Sequence, residues 1–439
     1  MGGRAMTEQQ QSRAARADWM TFLFSLLYFT SYMTRKSFGA IKLGLPEGYL
    51  TEAQVGLIGS ALFLAYGIGQ VVSGALGDRV DPRKLILCGL GTTAICNAAF
   101  PFVSYVPVLI VLWGINGFAQ AMFWPPLVKL MLVYFKGERY TRASMYIVMS
   151  AQIALLVVFA LSSLVIRLSA WRAIFAVATG LAVITGVSLV IGFRVLERRF
   201  PGAVTAAMEA GRVQKRASAE QSDKAKGGAG LWKITLSSGL LFVLGMTATQ
   251  GFLRDGLEEW LSTYLRDTFS LSADLSTLLN VIMPLFAIIC VRVTTRLYLK
   301  VFRDEIRQTF VVVLIAVSAT TVLALVGHMS LLLSILMLML TVGCVHSANT
   351  CLTCFLPARY EATGQVAIVA GLINGFTYVG STPAATVLPL LFGHFSWRVA
   401  LLSCAGVGAL CLGCIALMRP IWRHWIAQQS AAVSDQQDQ

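Results

Sequence analysis

Two arginines stand inside long apolar runs of this sequence, Arg35 in LLYFTSYMTRKSFG and Arg254 in TQGFLRDGLEEW. A charge inside hydrocarbon costs ~2.5–3.5 kcal/mol on insertion scales, so it is kept where it faces a cavity or a partner. A planar guanidinium can hold two oxygens of one phosphate or carboxylate. Two such forks therefore point to the binding of a small anion. At helical spacing Tyr28, Tyr32 and Arg35 share one face (i, i+4, i+7), and Lys36 follows directly. Arg35 has no acidic neighbour on its own helix. Arg254 and Glu258 stand four apart, so Arg254 has the alternative of simply holding a helix end.

Other polar residues share the apolar runs. In WGINGFAQAMFWPPLVKLM, Asn116, Gln120 and Trp124 lie on one face at four-residue spacing. Pro125 and Pro126 remove helix hydrogen bonds and predict a kink. Lys129 follows as a cation within the membrane, or as one that snorkels to its surface. His346, in VGCVHSANTC, offers a proton acceptor or an anion ligand, or is a hydrogen-bonded structural histidine. In GALGDRVDPRK, Asp78, Arg79 and Arg83 form a short charged turn between two apolar runs. Their expected role is a gate clamp, whose ion pairs form and break as two bodies rock; the plain alternative is a solvated turn.

The elements that carry these residues are membrane helices. The chain has 439 residues, 56% hydrophobic and 13% charged. Soluble domains carry about 25% charged residues. Runs of roughly twenty apolar residues recur from end to end, each long enough to cross ~30 Å of hydrocarbon as a helix. We place twelve spans near 19–44, 53–76, 84–104, 107–134, 141–166, 172–194, 234–264, 273–297, 308–327, 330–355, 364–391 and 397–418. The predicted fold is therefore an all-α polytopic membrane protein.

The net charge of +14 does not signal nucleic acid, because Lys and Arg gather in short loops between the spans. The even-numbered loops are the basic ones, with Arg79, Arg83 and Lys84 after helix 2 and Lys136, Arg139 and Arg142 after helix 4. This places both termini in the cytosol, together with a hydrophilic linker over 195–232. No removable signal peptide is expected. Nine cysteines fall in apolar segments, and the spacings Cys351–Cys354 and Cys411–Cys414 read as packing residues one helical turn apart.

The linker divides the chain into halves, 1–194 and 233–439, that echo one another. SAWRAIF (169–175) answers FSWRVAL (395–401), ERYTRAS (138–144) answers ARYEATG (358–364), and Arg35 answers Arg254. The offsets are all about 220 residues, which argues for two parallel six-helix repeats.

Four stretches resemble the organophosphate:phosphate antiporter family of the major facilitator superfamily, which includes bacterial glycerol-3-phosphate, hexose-6-phosphate and phosphoglycerate transporters. They are Tyr32–Met33–Thr34–Arg35–Lys36, GDRVDPRK, NGFAQAMFWPPLVK and RDGLEEWLSTYL. The likeness runs from helix 1 to helix 12. The WPP element with Lys129, and the Arg-to-Trp spacing in helix 7, are its most specific parts. It implies that Arg35 and Arg254 hold the phosphate and that Tyr28, Tyr32 and Tyr378 of helix 11 line the site. The sequence departs from the family in having Gln70 where helix 2 usually has a lysine. It has Ser150 or Gln152 where helix 5 usually has a histidine, a loss that His346 could offset from the other half.

The function so implied is alternating-access antiport in the plasma (inner) membrane, an organophosphate entering as inorganic phosphate leaves. No enzyme chemistry, cofactor or metal is implied, and a monomer is the expected working unit. Two alternatives are a transporter of a carboxylate or sulfonate, coupled to protons, and a membrane sensor of sugar phosphate.

Overall fold

The computed structural model describes residues 8–76, 80–135, 138–206, 208–209, 238–302, 304–363 and 366–437. The first half holds α1 (Glu8–Ile41), α2 (Glu52–Leu76), α3 (Pro82–Ala99), α4 (Val106–Gln120), α5 (Trp124–Tyr134), α6 (Glu138–Arg167) and α7 (Arg172–Arg199). The second holds α8 (Leu240–Phe269), α9 (Ala273–Leu279), α10 (Ile282–Leu297), α11 (Glu305–Val326), α12 (Leu331–Thr350), α13 (Val366–His394) and α14 (Trp397–Gln437). With α4–α5 and α9–α10 each forming one broken rod, these are the twelve expected spans.

Both breaks have a proline cause. Pro125 and Pro126 open α5, where the missing N–H groups cost nothing, and the chain turns through Ala121–Phe123 before them. The second break was not expected, since 273–297 reads as one span. Pro284 cannot donate to Asn280, and the helix restarts at Ile282. Three boundaries also move. The run from Glu8 to Ala17 is rich in the good helix formers Gln, Ala and Arg, so α1 begins well before residue 19. The C-terminal helix α14 continues past residue 418 to Gln437, and α7 reaches Arg199, past 194. From residue 210 to 232 the expected linker lies outside the described residues.

The halves repeat one packing pattern. In the first, α1 packs on α6 and α7, α2 on α4, and α3 on α4 and α7. In the second, α8 packs on α13 and α14, α10 on α12, and α11 on α12 and α14. Each pairing in one half has its counterpart in the other. Glycine permits the tightest of these contacts. A Cβ on Gly251 of α8 would overlap the Thr377 carbonyl of α13, and one on Gly380 of α13 would overlap that of Ala248 on α8.

The halves meet chiefly through α2 on α13 and α6 on α9 and α10. Glycine contacts between α2 and α13 run from Gly56 against Ala385 to Gly67 against Tyr378, whereas a Cβ on Gly371, nearer the start of α13, meets nothing within 4 Å. The closed end, where α1 and α8 finish, is also pinned by polar contacts. Arg266 bonds Glu52 at 3.0 Å, and Ser60 donates to the Thr382 carbonyl at 2.7 Å. Lys42, only 8% exposed, donates to the Glu259 carbonyl and lies 3.7 Å from the Trp260 ring centroid. One apolar core continues across both halves here, joining Ile58 and Trp113 to Trp260 and Leu388. A second core, with Leu27, Ile86, Leu127 and Leu189, belongs to the first half alone.

Among the described residues, nine spans are long and apolar enough to cross a membrane by length and composition. The three long helices outside that set are α1, α8 and α13. Their polar residues converge at the centre of the molecule.

Candidate functional site

Arg35 projects from α1 into an aromatic surround. Its guanidinium carbon lies 4.3 Å from the Tyr32 ring centroid and 5.1 Å from that of Tyr66 on α2. The Arg35 Nε is buried without a hydrogen-bond partner. Among the described residues no carboxylate pairs with Arg35. A half-buried guanidinium with an unused donor is primed to bind an anion.

Arg254 projects from α8, and here the structure resolves the alternative of a helix-end brace. Glu258 is not its partner. The adjacent Asp255 is, accepting from Nε and Nη2 at 2.8 Å each, while Nη1 reaches Asn349 of α12 at 3.3 Å. Asp255 is 5% exposed and also accepts from Ser381 of α13 at 2.5 Å. The two arginines are thus unequal: Arg254 has a bidentate carboxylate and Arg35 has none. They approach through aromatic rings, because Arg254 lies 5.9 Å from the Tyr378 centroid and the Tyr66 and Tyr378 centroids are 4.6 Å apart.

Tyr28 packs between Tyr32, edge-on at 5.3 Å, and Trp124, tilted at 4.9 Å. The break before α5 places Trp124 there, so the two prolines serve to bring that ring onto the Arg35 side. Tyr28, Tyr32, Trp124 and Tyr378 therefore join the Arg35 cluster. Four other sequence-expected site residues are placed differently. Gln120 faces α1 inside the first half, accepting from Ser31 and donating to Thr34, both at 2.8 Å, and is 1% exposed. Both amide ends are thus engaged within the first half. Lys36 reaches across the halves, its Nζ 3.9 Å from Glu258 and 3.8 Å from Glu259. His346 bonds Glu258 through Nε2 and does not touch the arginine cluster. Arg83 pairs with Asp81 and Glu197, both in its own half, so in this conformation it clamps α3 to α7. Lys129 lies on α5, whereas Asp78 and Arg79 fall outside the described residues.

Sequence reasoning did not single out Tyr66, Asp255, Glu259, Asn349 or Lys42 as site residues. A signal was present for two of them, Asp255 and Glu259. RDGLEEW carries three carboxylates inside a span, each costly unless partnered, which calls for Lys36, Arg254 and His346 on neighbouring helices. Nothing in the sequence ties Lys42 to Trp260.

Residues 24–384 match the model of the Major Facilitator Superfamily. A probable hexose phosphate transport protein of Chlamydia muridarum is 33% identical over 41% of this chain and 39% of its own length. A glycerol-3-phosphate transporter of Bacillus subtilis is 34% identical over 27% of the chain and 28% of its own. A membrane sensor protein of Escherichia coli K12 is 30% identical over 30% of each. The matched stretches thus span well under two thirds of these relatives. Among solved structures, a nucleoside transporter superposes with a TM-score of 0.70 at 12% identity, covering 91% of this chain and 99% of that one.

Proposed function

Since this chain belongs to the Major Facilitator Superfamily, we propose that it is an alternating-access carrier of small organophosphates, exchanging them for inorganic phosphate. The observation that carries the reading is Arg35, a guanidinium with an unused donor and no carboxylate partner, set across two tyrosines from Arg254. A phosphate ester between them would take hydrogen bonds from Arg35 and draw Arg254 partly off Asp255. Relatives named as hexose phosphate and glycerol-3-phosphate transporters support the substrate class.

The Lys and Arg of the even-numbered loops assign the linker, both termini and Arg83 to the cytosol. The conformation described above is then closed toward the outside, and its membrane is the plasma membrane. A single chain supplies the whole site, so we assign function to the monomer.

One observation favours a second reading. Asp255 occupies the fork of Arg254, and Gln70, 9% exposed with an unpartnered Nε2, brings no charge. A site with one uncommitted guanidinium suits a carboxylate or sulfonate. Exchange by the reconstituted protein of labelled phosphate against glycerol phosphate, hexose phosphate, phosphoglycerate and plain carboxylates decides. Exchange with phosphate esters alone is the expected result; exchange with carboxylates alone moves the assignment.

A further inference from the structure

Away from the central site, α10 carries a row of cations on its outer side. Its inner side packs on α11 and α12. Met283, Pro284, Ala287 and Thr294 are buried there, Cys290 lies against Gly343 of α12, and Gln308 of α11 donates to the Thr294 carbonyl at 2.6 Å. Arg292, Arg296 and Lys300 recur at four-residue spacing on the opposite side, and all three are exposed. Among the described residues no ion pair, hydrogen bond or ring contact engages them.

Their depth sets them apart. The rod continues through the wide turn Tyr298–Phe302, and Asp304 then caps α11 by accepting from the backbone N–H groups of Ile306 and Arg307. At 1.5 Å per residue, Lys300 lies about 3 Å and Arg292 about 15 Å from Phe302 along the axis. The second figure is near half of a ~30 Å hydrocarbon layer. A charge at that depth turns to the bundle interior or to a partner. Arg292 turns outward and has no partner in the chain. By contrast, the exposed pair Arg194 and Arg198 stays in the last turns of α7, which ends at Arg199. The outer side of α10 also presents Leu285 and Ile289, 48% and 57% exposed, one and two turns beyond Arg292. That is aliphatic surface suited to lipid.

We propose that this face of α10 is a binding site for an anionic phospholipid, its phosphate held among Arg292, Arg296 and Lys300 and its acyl chains laid along Leu285 and Ile289. Long arginine side chains lean along a helix toward the polar layer, so Arg292 and Arg296 can meet one phosphate from below while Lys300 meets it from the side. Charge complementarity chooses the occupant. The face offers three positive charges, no carboxylate and an apolar continuation. A zwitterionic headgroup brings an ammonium that these cations repel, and a soluble phosphate has nothing to place on the two aliphatic residues. By the topology proposed above, the lipid belongs to the cytosolic leaflet, where anionic headgroups attract basic segments.

The test is native mass spectrometry of the purified full-length chain in neutral detergent, after addition of phosphatidylglycerol or of phosphatidylcholine with the same acyl chains. We expect one phosphatidylglycerol retained per chain, about tenfold or more tightly than phosphatidylcholine. Combining Arg292→Gln, Arg296→Gln and Lys300→Gln should erase that preference, whereas Arg198→Gln, which removes a charge at the end of α7, should keep it. Phosphatidylglycerol with a photoreactive acyl chain locates the site in the unaltered protein, so the outcome does not depend on the triple variant folding. Its adducts should fall within residues 282–297. Equal retention of the two lipids, a preference that survives the triple variant, or adducts confined to other helices overturns the proposal. Displacement of the lipid by excess inorganic phosphate overturns it too, because the cations would then be reading a soluble anion.

Discussion

Arg35 and Arg254 stand in opposite halves and are joined through the ring pair Tyr66–Tyr378, at 5.1 Å and 5.9 Å from the respective centroids. The rings themselves are 4.6 Å apart and belong to α2 and α13, the helices that carry the main contact between the halves. Cation–ring attraction is worth about 0.5–2 kcal/mol. It holds Arg35 in place without spending its hydrogen bonds, whereas those of Arg254 go to Asp255 and Asn349.

Arg35→Lys should nearly abolish exchange although the charge remains. An ammonium is a hydrated point charge without the fork. Each hydrogen bond to a charged group is worth roughly 1.5–3 kcal/mol, so losing one costs tenfold or more in affinity. Phosphate exchange in proteoliposomes measures this. Near wild-type rates would show Arg35 to be structural.

The Arg254–Asp255 pair should behave as a unit. Arg254→Ala leaves a carboxylate buried and unpaired, a loss of about 3–5 kcal/mol, read as a lower melting temperature in detergent. Adding Asp255→Asn should restore most of the stability and none of the transport. Restored transport in the double variant would remove Arg254 from the anion site.

Lys42 should latch the closed end. A desolvated cation over tryptophan contributes about 2 kcal/mol, roughly thirtyfold in a two-state equilibrium. Lys42→Met should therefore shift the population toward opening at that end. Labelling of Ser60→Cys by an impermeant thiol reagent, in a cysteine-free background, reports the shift. Unchanged labelling would mean that Glu52–Arg266 and the apolar core suffice.

Asp78→Asn and Arg79→Ala should slow exchange and leave equilibrium binding within a few-fold. These residues precede the Asp81–Arg83–Glu197 cluster, which is held within one half while the other end is closed. A large loss of binding in correctly folded protein would place them at the ligand.

The spans were legible because apolar length and basic loops are properties of single segments. Arg35 with Tyr28 and Tyr32 was legible for the same reason, since one helix face carries all three. Partner choice between helices was not. Gln120 shares a face with Trp124 in projection, yet the break after it turns the two residues apart, toward Thr34 and toward Tyr28. His346 and Glu258 are 88 residues apart, and only the packing of α8 on α12 makes them a pair. The break at Asn280 had a signal in Pro284 that the apolar run around it masked.

The polarity of α1, α8 and α13 bears on how the chain is made. A segment enters the bilayer during synthesis by partitioning according to its own apolar content, and a central Arg or Lys opposes that step. The nine apolar helices can each be released into lipid as they emerge. On α8 the adjacent Asp255 compensates Arg254 at once, whereas on α1 the partners of Lys36, Glu258 and Glu259, are synthesised more than two hundred positions later. The Lys36 charge that α1 carries into the bilayer is thus offset only when α8 arrives beside it. The contact of Lys36 with the two glutamates thus ties the placement of the first helix to the synthesis of the second half.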